Sequence, residues 1–176
     1  QEIFLKRDGN TTTTWSAADQ VVCGDTEPKL SGNFGLNAGW RGLTVSLAFT
    51  FKLGGQMYNS TLVNKIENVD INNKNVDVRA LTERWNTPGI ETRFKGIADN
   101  STTKSTSRFV EDLNELVLSS VNVTYDLNQV IRKMPFENIR FTFNMSDIGR
   151  LSTMKQERGT AYPFARTFSV GLTADF

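Results

Sequence analysis

Histidine is absent from this 176-residue chain, and cysteine occurs once, at Cys23. Without histidine there is no Ser-His-Asp or Cys–His arrangement, no imidazole metal ligand and no side chain poised to titrate near neutrality. A lone cysteine forms no internal disulfide. An enzyme is therefore not expected, and neither is a metal or a cofactor. Adjacent acids such as Glu111 and Asp112 remain, but in a polar stretch they are more often solvated than catalytic. Long apolar runs are also missing: none approaches the roughly 18 residues of a membrane helix. That leaves barrel strands open, because they are short, alternating and only half apolar. Neither sign of charge dominates, with 20 basic and 19 acidic residues. No strong field draws the chain to nucleic acid, which is not an expected partner. The chain opens Gln1-Glu2-Ile3-Phe4-Leu5-Lys6, with no basic n-region, no apolar stretch behind it and no initiating Met. That is the pattern of a mature form or of a piece of something longer.

What is present is alternation. In Phe168-Ser-Val-Gly-Leu-Thr-Ala-Asp-Phe176 the apolar side chains fall on every second residue, which places them on one face of a strand. Ile139–Met145 repeats the pattern, with Ile139, Phe141, Phe143 and Met145 opposing Arg140, Thr142 and Asn144. Leu43–Leu53 is the most regular case and has about the 9–11 residues a tilted strand needs to cross a bilayer. Leu30–Trp40 alternates around three glycines. In Leu116–Leu127, Val121, Val123, Tyr125 and Leu127 share a face, while Leu116 and Leu118 break the polar side.

The connections predicted between these strands alternate in length. Arg41-Gly42 reads as a tight hairpin turn. A very long excursion follows from Gly54 to Glu115, then a short one from Asn128 to Asn138 and a long one from Ser146 to Ala165. Short turns on one side and long loops on the other are a barrel's pattern. With Phe176 at the periplasm, both short connections fall on the periplasmic side. Inside the long loop, Asp77–Trp85 reads as a short helix capped by Asp77, with Val78, Leu81 and Trp85 on one face and Pro88-Gly89 ending it. The alternative is a self-contained soluble secreted β-domain binding a glycan or protein partner, whose strands also alternate. Such a domain usually turns every 8–12 residues and has no excursion of this length.

Several stretches, in order along the chain, resemble SusC/RagA-type TonB-dependent transporters. They are Gly24–Gly35 before a strand, Gly54-Gly-Gln-Met-Tyr-Asn59 after one, Arg84-Trp85 with Pro88-Gly89, Ser107-Arg-Phe-Val-Glu-Asp112, and Tyr162-Pro-Phe-Ala-Arg-Thr-Phe168. The chain departs from the family at Leu113-Asn114-Glu115, where a small residue, Ser and an aromatic are usual. The resemblance implies an all-β fold: an antiparallel transmembrane β-barrel segment, the last strands of a large barrel of about 22 strands with a plugged lumen. Residues 1–176 would then be the C-terminal barrel segment of a larger transporter whose plug domain lies outside this chain. The implied location is the bacterial outer membrane of Bacteroidota, with the C-terminus at the periplasmic side. The implied activity is import of oligosaccharides or peptides. A SusD-type surface lipoprotein would cap the barrel, and TonB would energise it through the absent plug. Sugar and peptide importers share these motifs, so both substrate classes stay open.

The apolar strand faces are expected against outer-membrane lipid, with Trp40, Phe51, Tyr125, Phe168 and Phe176 as interfacial aromatics. Lys52, Arg140 and Asp175 fall on the polar, lumen side, solvated or paired. Substrate contact would come from lumen and loop residues of the types that stack on sugars or hold peptide groups: Trp15, Tyr58, Arg84, Trp85 and Arg93. Trp85 is expected to pack under the loop helix, and Tyr58 serves equally well as a loop anchor. The Gly54–Glu115 loop is the expected lipoprotein docking surface, by its size and polarity. Asn-X-Ser/Thr sequons at Asn10, Asn59, Asn100, Asn122 and Asn144 are read as the yield of an Asn- and Thr-rich sequence, since two lie in expected strands.

Overall fold

The computed structural model describes residues 2–70, 72–73, 76–129, 138–155 and 165–175. Its main element is a five-stranded sheet in the order β3-β4-β5-β6-β7. The strands are β3 (Leu30–Trp40), β4 (Leu43–Tyr58), β5 (Val110–Asp126), β6 (Asn138–Ser152) and β7 (Thr167–Asp175). The β3–β4, β5–β6 and β6–β7 ladders are antiparallel. A small sheet pairs β1 (Phe4–Leu5) with β2 (Thr11–Thr12). Two compact units result: Gln1–Thr26 with Gln56–Glu111, the loop unit, and Glu27–Gly55 with Asp112–Phe176, the sheet unit.

In the sheet unit every expected strand is present, and the hairpin turn lies where it was read. Trp40 and Leu43 are partners, so Arg41 and Gly42 form a two-residue loop. Both have positive φ, 46° and 86°, as a hairpin turn matched to the right-handed strand twist requires. The strands run longer than their alternation. β4 continues past Leu53 to Tyr58, β5 begins at Val110 rather than Leu116, and β6 runs to Ser152 rather than Met145. The alternation ends where one face no longer has to be apolar. The ladder continues because each added residue still finds backbone partners. The long excursion is accordingly shorter than read, from Asn59 to Phe109.

β6 carries an extra residue. Leu118 pairs with Gly149 but Ser120 pairs with Ser146, and Asp147 adopts φ 56°. Two residues of β6 thus oppose one of β5, the signature of a β-bulge. At the other end of β4, Gly54 has φ +78° and lies against the Lys29 side chain. Its N–H donates to Asn114 Oδ1 at 2.7 Å.

The loop unit has a different construction. Asn59 caps a helical segment, accepting from the Leu62 N–H at 3.2 Å. That segment is α1 (Ser60–Leu62) followed by a π-type turn over Val63–Glu67. Its apolar side chains meet Ala80, Phe94 and Phe109 in a small core, with Tyr58, Val69 and Val76 packed around it. The expected loop helix exists as α2 (Arg79–Thr82), one turn long. Its N-cap position is Val78 rather than Asp77 and carries no side-chain cap; Asp77, one residue earlier, accepts from the Arg79 N–H at 2.9 Å. The buried face is not the one expected, however: Ala80 is fully buried, whereas Val78 and Leu81 are 69% and 64% exposed and Trp85 is exposed as well. A single turn is too short for helical periodicity to choose its face, and the small Ala80 fits the core where a larger residue does not.

Candidate functional site

The sheet separates two chemistries by face. On one side the registered triplets are Val121–Met145–Phe168, Val123–Phe143–Val170 and Tyr125–Phe141–Leu172. On β3 and β4 the pairs Phe34–Phe49, Leu36–Leu47 and Trp40–Leu43 continue the apolar pattern. The Phe34 and Phe49 rings stack at 4.9 Å. Leu30, Phe34, Leu36, Trp40, Phe141, Phe168, Val170 and Leu172 are all exposed. An exposed apolar surface of this extent marks contact with something other than water.

The opposite face is a ladder of polar cross-strand pairs. Arg140 Nε donates to Asp126 Oδ1 at 2.6 Å, and these two are registered partners. Asn122 Nδ2 donates to the side-chain oxygen of its partner Asn144. Ser146 and Thr167 hydroxyls meet at 2.9 Å. Arg140, read as solvated or paired, is therefore paired within the sheet. Lys52 lies 3.8 Å from Glu115, whose second oxygen is 3.5 Å from Arg150, so one carboxylate joins β4, β5 and β6. Asp175 is registered with Asn138. Cross-strand pairs of this kind are the unit of sheet stabilisation.

Of the aromatics expected at an interface, Trp40 adjoins the hairpin turn, where the Arg41 guanidinium lies 5.1 Å from its ring centre. Tyr125 is near the same end, since the Asp126 N–H donates to Gly42 O at 2.8 Å. Phe51 pairs with Gly32 toward the other end of its ladder, and a Cβ on Gly32 would come within 3.0 Å of that ring. Phe168 stacks on Phe143 with ring centres 6.4 Å apart. Phe176 lies outside the described residues, as do Tyr162–Phe164 of the last motif.

All five residues expected to touch substrate fall in the loop unit, in two places. Trp15 and Tyr58 line one cavity of about 710 Å³ together with Arg108, within the size range of small-ligand pockets. The Trp15 indole N–H donates to Ser105 O at 3.3 Å, and the Lys104 ammonium lies 5.7 Å from its ring. Burial and the nearby Glu67 carboxylate push the Tyr58 phenol up, with Arg108 opposing them, so it stays a neutral hydroxyl at physiological pH.

Arg84, Trp85 and Arg93 lie elsewhere. Arg84 is 3% exposed. Its guanidinium donates to the carbonyls of Lys95, Gly96 and Asp99 at 3.4, 2.8 and 3.3 Å. The Trp85 ring covers Gly96, where a Cβ would come to 3.3 Å. Arg93 forms an ion pair with Glu111 at 2.5 Å and lies with its guanidinium 5.7 Å from the Phe109 ring. Burial raises the Glu111 carboxyl, but hydrogen bonds from Asn59 and Arg93 and the Arg93 charge outweigh it and hold the group below its ordinary value.

Sequence reasoning missed the centre of this unit. Phe109 is fully buried between Phe94 at 6.1 Å and an edge-on Tyr58 at 6.2 Å, with Arg108 above its face at 4.7 Å. Arg108 pairs with buried Glu67 and, at 3.2 Å, with Glu2. Lys95, also buried, donates to Asn68 Oδ1 at 3.1 Å. The available signal was Ser107–Asp112 itself, which holds Arg108, Phe109 and Glu111 in six residues. Among the described residues there is no group of three or more metal-ligating side chains, and no helix is long and apolar enough to cross a membrane.

The architecture is all-β, that of an antiparallel β-barrel segment carrying a folded loop. Among solved structures the chain is similar to the RagAB peptide importer in its 'open-open' state, with a TM-score of 0.70 and 19% identity over 96% of this chain. It is similar to the 'closed-closed' state of the same importer at a TM-score of 0.63 and 20% identity over 86% of the chain. A further structure of the RagAB peptide transporter aligns at 0.65 and 21% over 85%. This chain spans 19%, 17% and 17% of those three chains, respectively. No protein-family model and no curated protein matches it in sequence.

Proposed function

We propose that the chain is the C-terminal barrel segment of a SusC/RagA-type TonB-dependent transporter of the bacterial outer membrane. The observation that carries this is the sheet with one exposed apolar face and one polar face of paired side chains. That distribution suits lipid on one side and an aqueous lumen on the other. The likeness to RagAB chains over most of this chain supports the same reading. On it, Trp40, Phe51, Tyr125 and Phe168 sit at the membrane interfaces, and the turn at Arg41-Gly42 and the C-terminus face the periplasm. The larger protein imports oligosaccharides or peptides, a SusD-type lipoprotein docks on the long loop, and TonB drives the cycle through a plug outside this chain. Its task is transport rather than catalysis.

The test is the size and location of the native protein bearing this sequence, followed by antibody against the Asp99–Ser107 loop in fractionated cells. The expected result is an outer-membrane band several times heavier than 19.7 kDa whose migration changes on boiling. A water-soluble band at the mass of this chain overturns the proposal and returns the apolar faces to a sandwich core.

A further inference from the structure

We infer that residues 2–23 form a strap that opens and closes over the loop-unit cavity, latched by polar ties from Glu2 and Trp15 to the 104–108 segment. The inference goes beyond the function proposed above and does not depend on it.

Three observations carry it. The first is how little the strap buries. No residue from 2 to 26 is buried, and Ile3, Leu5, Val21 and Val22 are 70%, 72%, 57% and 94% exposed. The apolar core of the same unit lies wholly between residues 62 and 109. Apolar burial is the main force that fixes a segment in place, so this segment is held by other means. It does have order of its own. β1 pairs with β2, the Lys6 N–H donates to Asn10 O at 2.8 Å, and the Arg7 N–H donates to Asp19 Oδ1 at 3.5 Å. These bonds lie inside the strap and travel with it.

The second is where the ties converge. Glu2 pairs with Arg108 at 3.2 Å, and the Trp15 indole N–H donates to Ser105 O at 3.3 Å. The Lys104 ammonium lies 5.7 Å from the same Trp15 ring. Glu2 and Trp15 are only half-buried, where an ion pair or a single hydrogen bond adds little stability. Arg108 keeps a second, fully buried partner in Glu67. Release of Glu2 therefore leaves no uncompensated buried charge behind, the usual penalty for breaking such a pair. The Tyr58–Phe109 ring contact does not involve the strap, so the core stays closed when the strap lifts.

The third is what lies beneath. The cavity of about 710 Å³ has walls from two stretches of chain: Leu5, Trp15 and Val21 on the strap, and Tyr58, Arg108 and Val110 on the core side. A cover over open space gives up few packing contacts on lifting, and segments with few buried contacts are those that open locally. The root of the strap is fixed. Asp25 O accepts from the Gln56 N–H at 2.7 Å, and a Cβ on Gly24 would come within 2.5 Å of Gln56 Oε1. The strap thus pivots beside Gly24, and its lifting opens the core-side wall to solvent.

The experiment follows amide hydrogen exchange in the full-length native protein bearing this chain. Residues 2–23 are expected to exchange as one unit, measurably protected but faster than 59–67 and 105–109. Glu2→Gln should speed exchange of the strap about threefold, and Trp15→Ala about tenfold, with the core unchanged in both. Added salt should speed it in the parent but not in Glu2→Gln. The cavity is read separately by Val110→Cys in a Cys23→Ser background. Labelling of residue 110 by a bulky maleimide, read by mass spectrometry, should accelerate in Trp15→Ala by the same factor as exchange. The inference is overturned if the strap is as protected as the core, or if it has no protection at all. It is overturned equally if both variants leave strap exchange unchanged or loosen the core as well, if salt acts alike on the parent and Glu2→Gln, or if labelling at residue 110 ignores Trp15→Ala.

Discussion

The sheet unit and the loop unit bury their apolar side chains by opposite rules. In the loop unit Leu62, Val63, Ile66, Ala80, Phe94 and Phe109 close on one another away from water. In the sheet unit Met154 is the one buried apolar residue among those described, and residues as large as Trp40, Phe168 and Leu172 stand exposed. The polar groups are inverted too. Glu67, Arg84 and Lys95 are buried in the loop unit, each with specific partners, because an unpaired buried charge is costly. On the sheet, Arg140 and Asp126 pair across strands in the open. One unit closes its apolar side chains inside; the other leaves them on one open face.

The largest expected effect tests the loop unit alone. Phe109→Ala removes the ring that Phe94 and Tyr58 contact and should cost about 3–5 kcal/mol. Amide exchange across residues 59–106 should speed up while heat-modifiable migration of the barrel is retained. If the barrel unfolds together with the loop, the two regions are not separately stabilised and the contrast fails.

Next comes the face of the sheet. Val170→Arg places charge on the apolar side and should cost about 2–4 kcal/mol in lipid, whereas Ser169→Arg, one residue earlier on the polar side, should cost under about 1 kcal/mol. Urea unfolding in lipid vesicles measures both. Equal penalties would mean that the two faces do not see different solvents.

A smaller effect belongs to the hairpin. Gly42→Ala puts a side chain where φ is 86° and should destabilise the β3–β4 ladder by about 1 kcal/mol. The same substitution at Gly149, where an added Cβ meets nothing within 4 Å, should be milder. Comparing the two unfolding midpoints separates turn geometry from simple loss of a glycine.

The smallest effect is acid-dependent and confined to the loop unit. Glu111 is held below its ordinary value of 4.5, so the folded loop binds its proton less readily than the unfolded chain does. The stabilisation is complete above that ordinary value and is lost as pH falls through the lower, folded one. In Glu111→Gln the acid-induced loosening of the loop, followed by proteolysis, should be smaller, with the sheet unchanged. An identical acid profile in the variant would show that the Arg93–Glu111 pair does not carry it.

The strand cores, their faces and the Arg41-Gly42 turn were legible in the sequence, and the fold class followed from them. A strand's two faces depend on residues two apart, and a two-residue turn on the pair that forms it, so the order of residues is enough. The Asp77 hydrogen bond at the start of the short loop helix was legible for the same reason, although the cap position itself is Val78. The extra length of β4, β5 and β6 was not, because backbone pairing outlasts the side-chain pattern that announces it. Nor was the loop core. The helix face at Val78, Leu81 and Trp85 has the right spacing for burial, yet Ala80 is what the core accepts. Arg108 reaches Glu67 and Glu2 across 41 and 106 residues, and Trp15 reaches Ser105 across 90. Sequence alone determined what repeats locally, since local sterics and alternation impose it. Only the tertiary structure decided which distant segments meet, because that choice depends on which packing leaves the fewest buried charges unpaired and the least apolar volume unfilled.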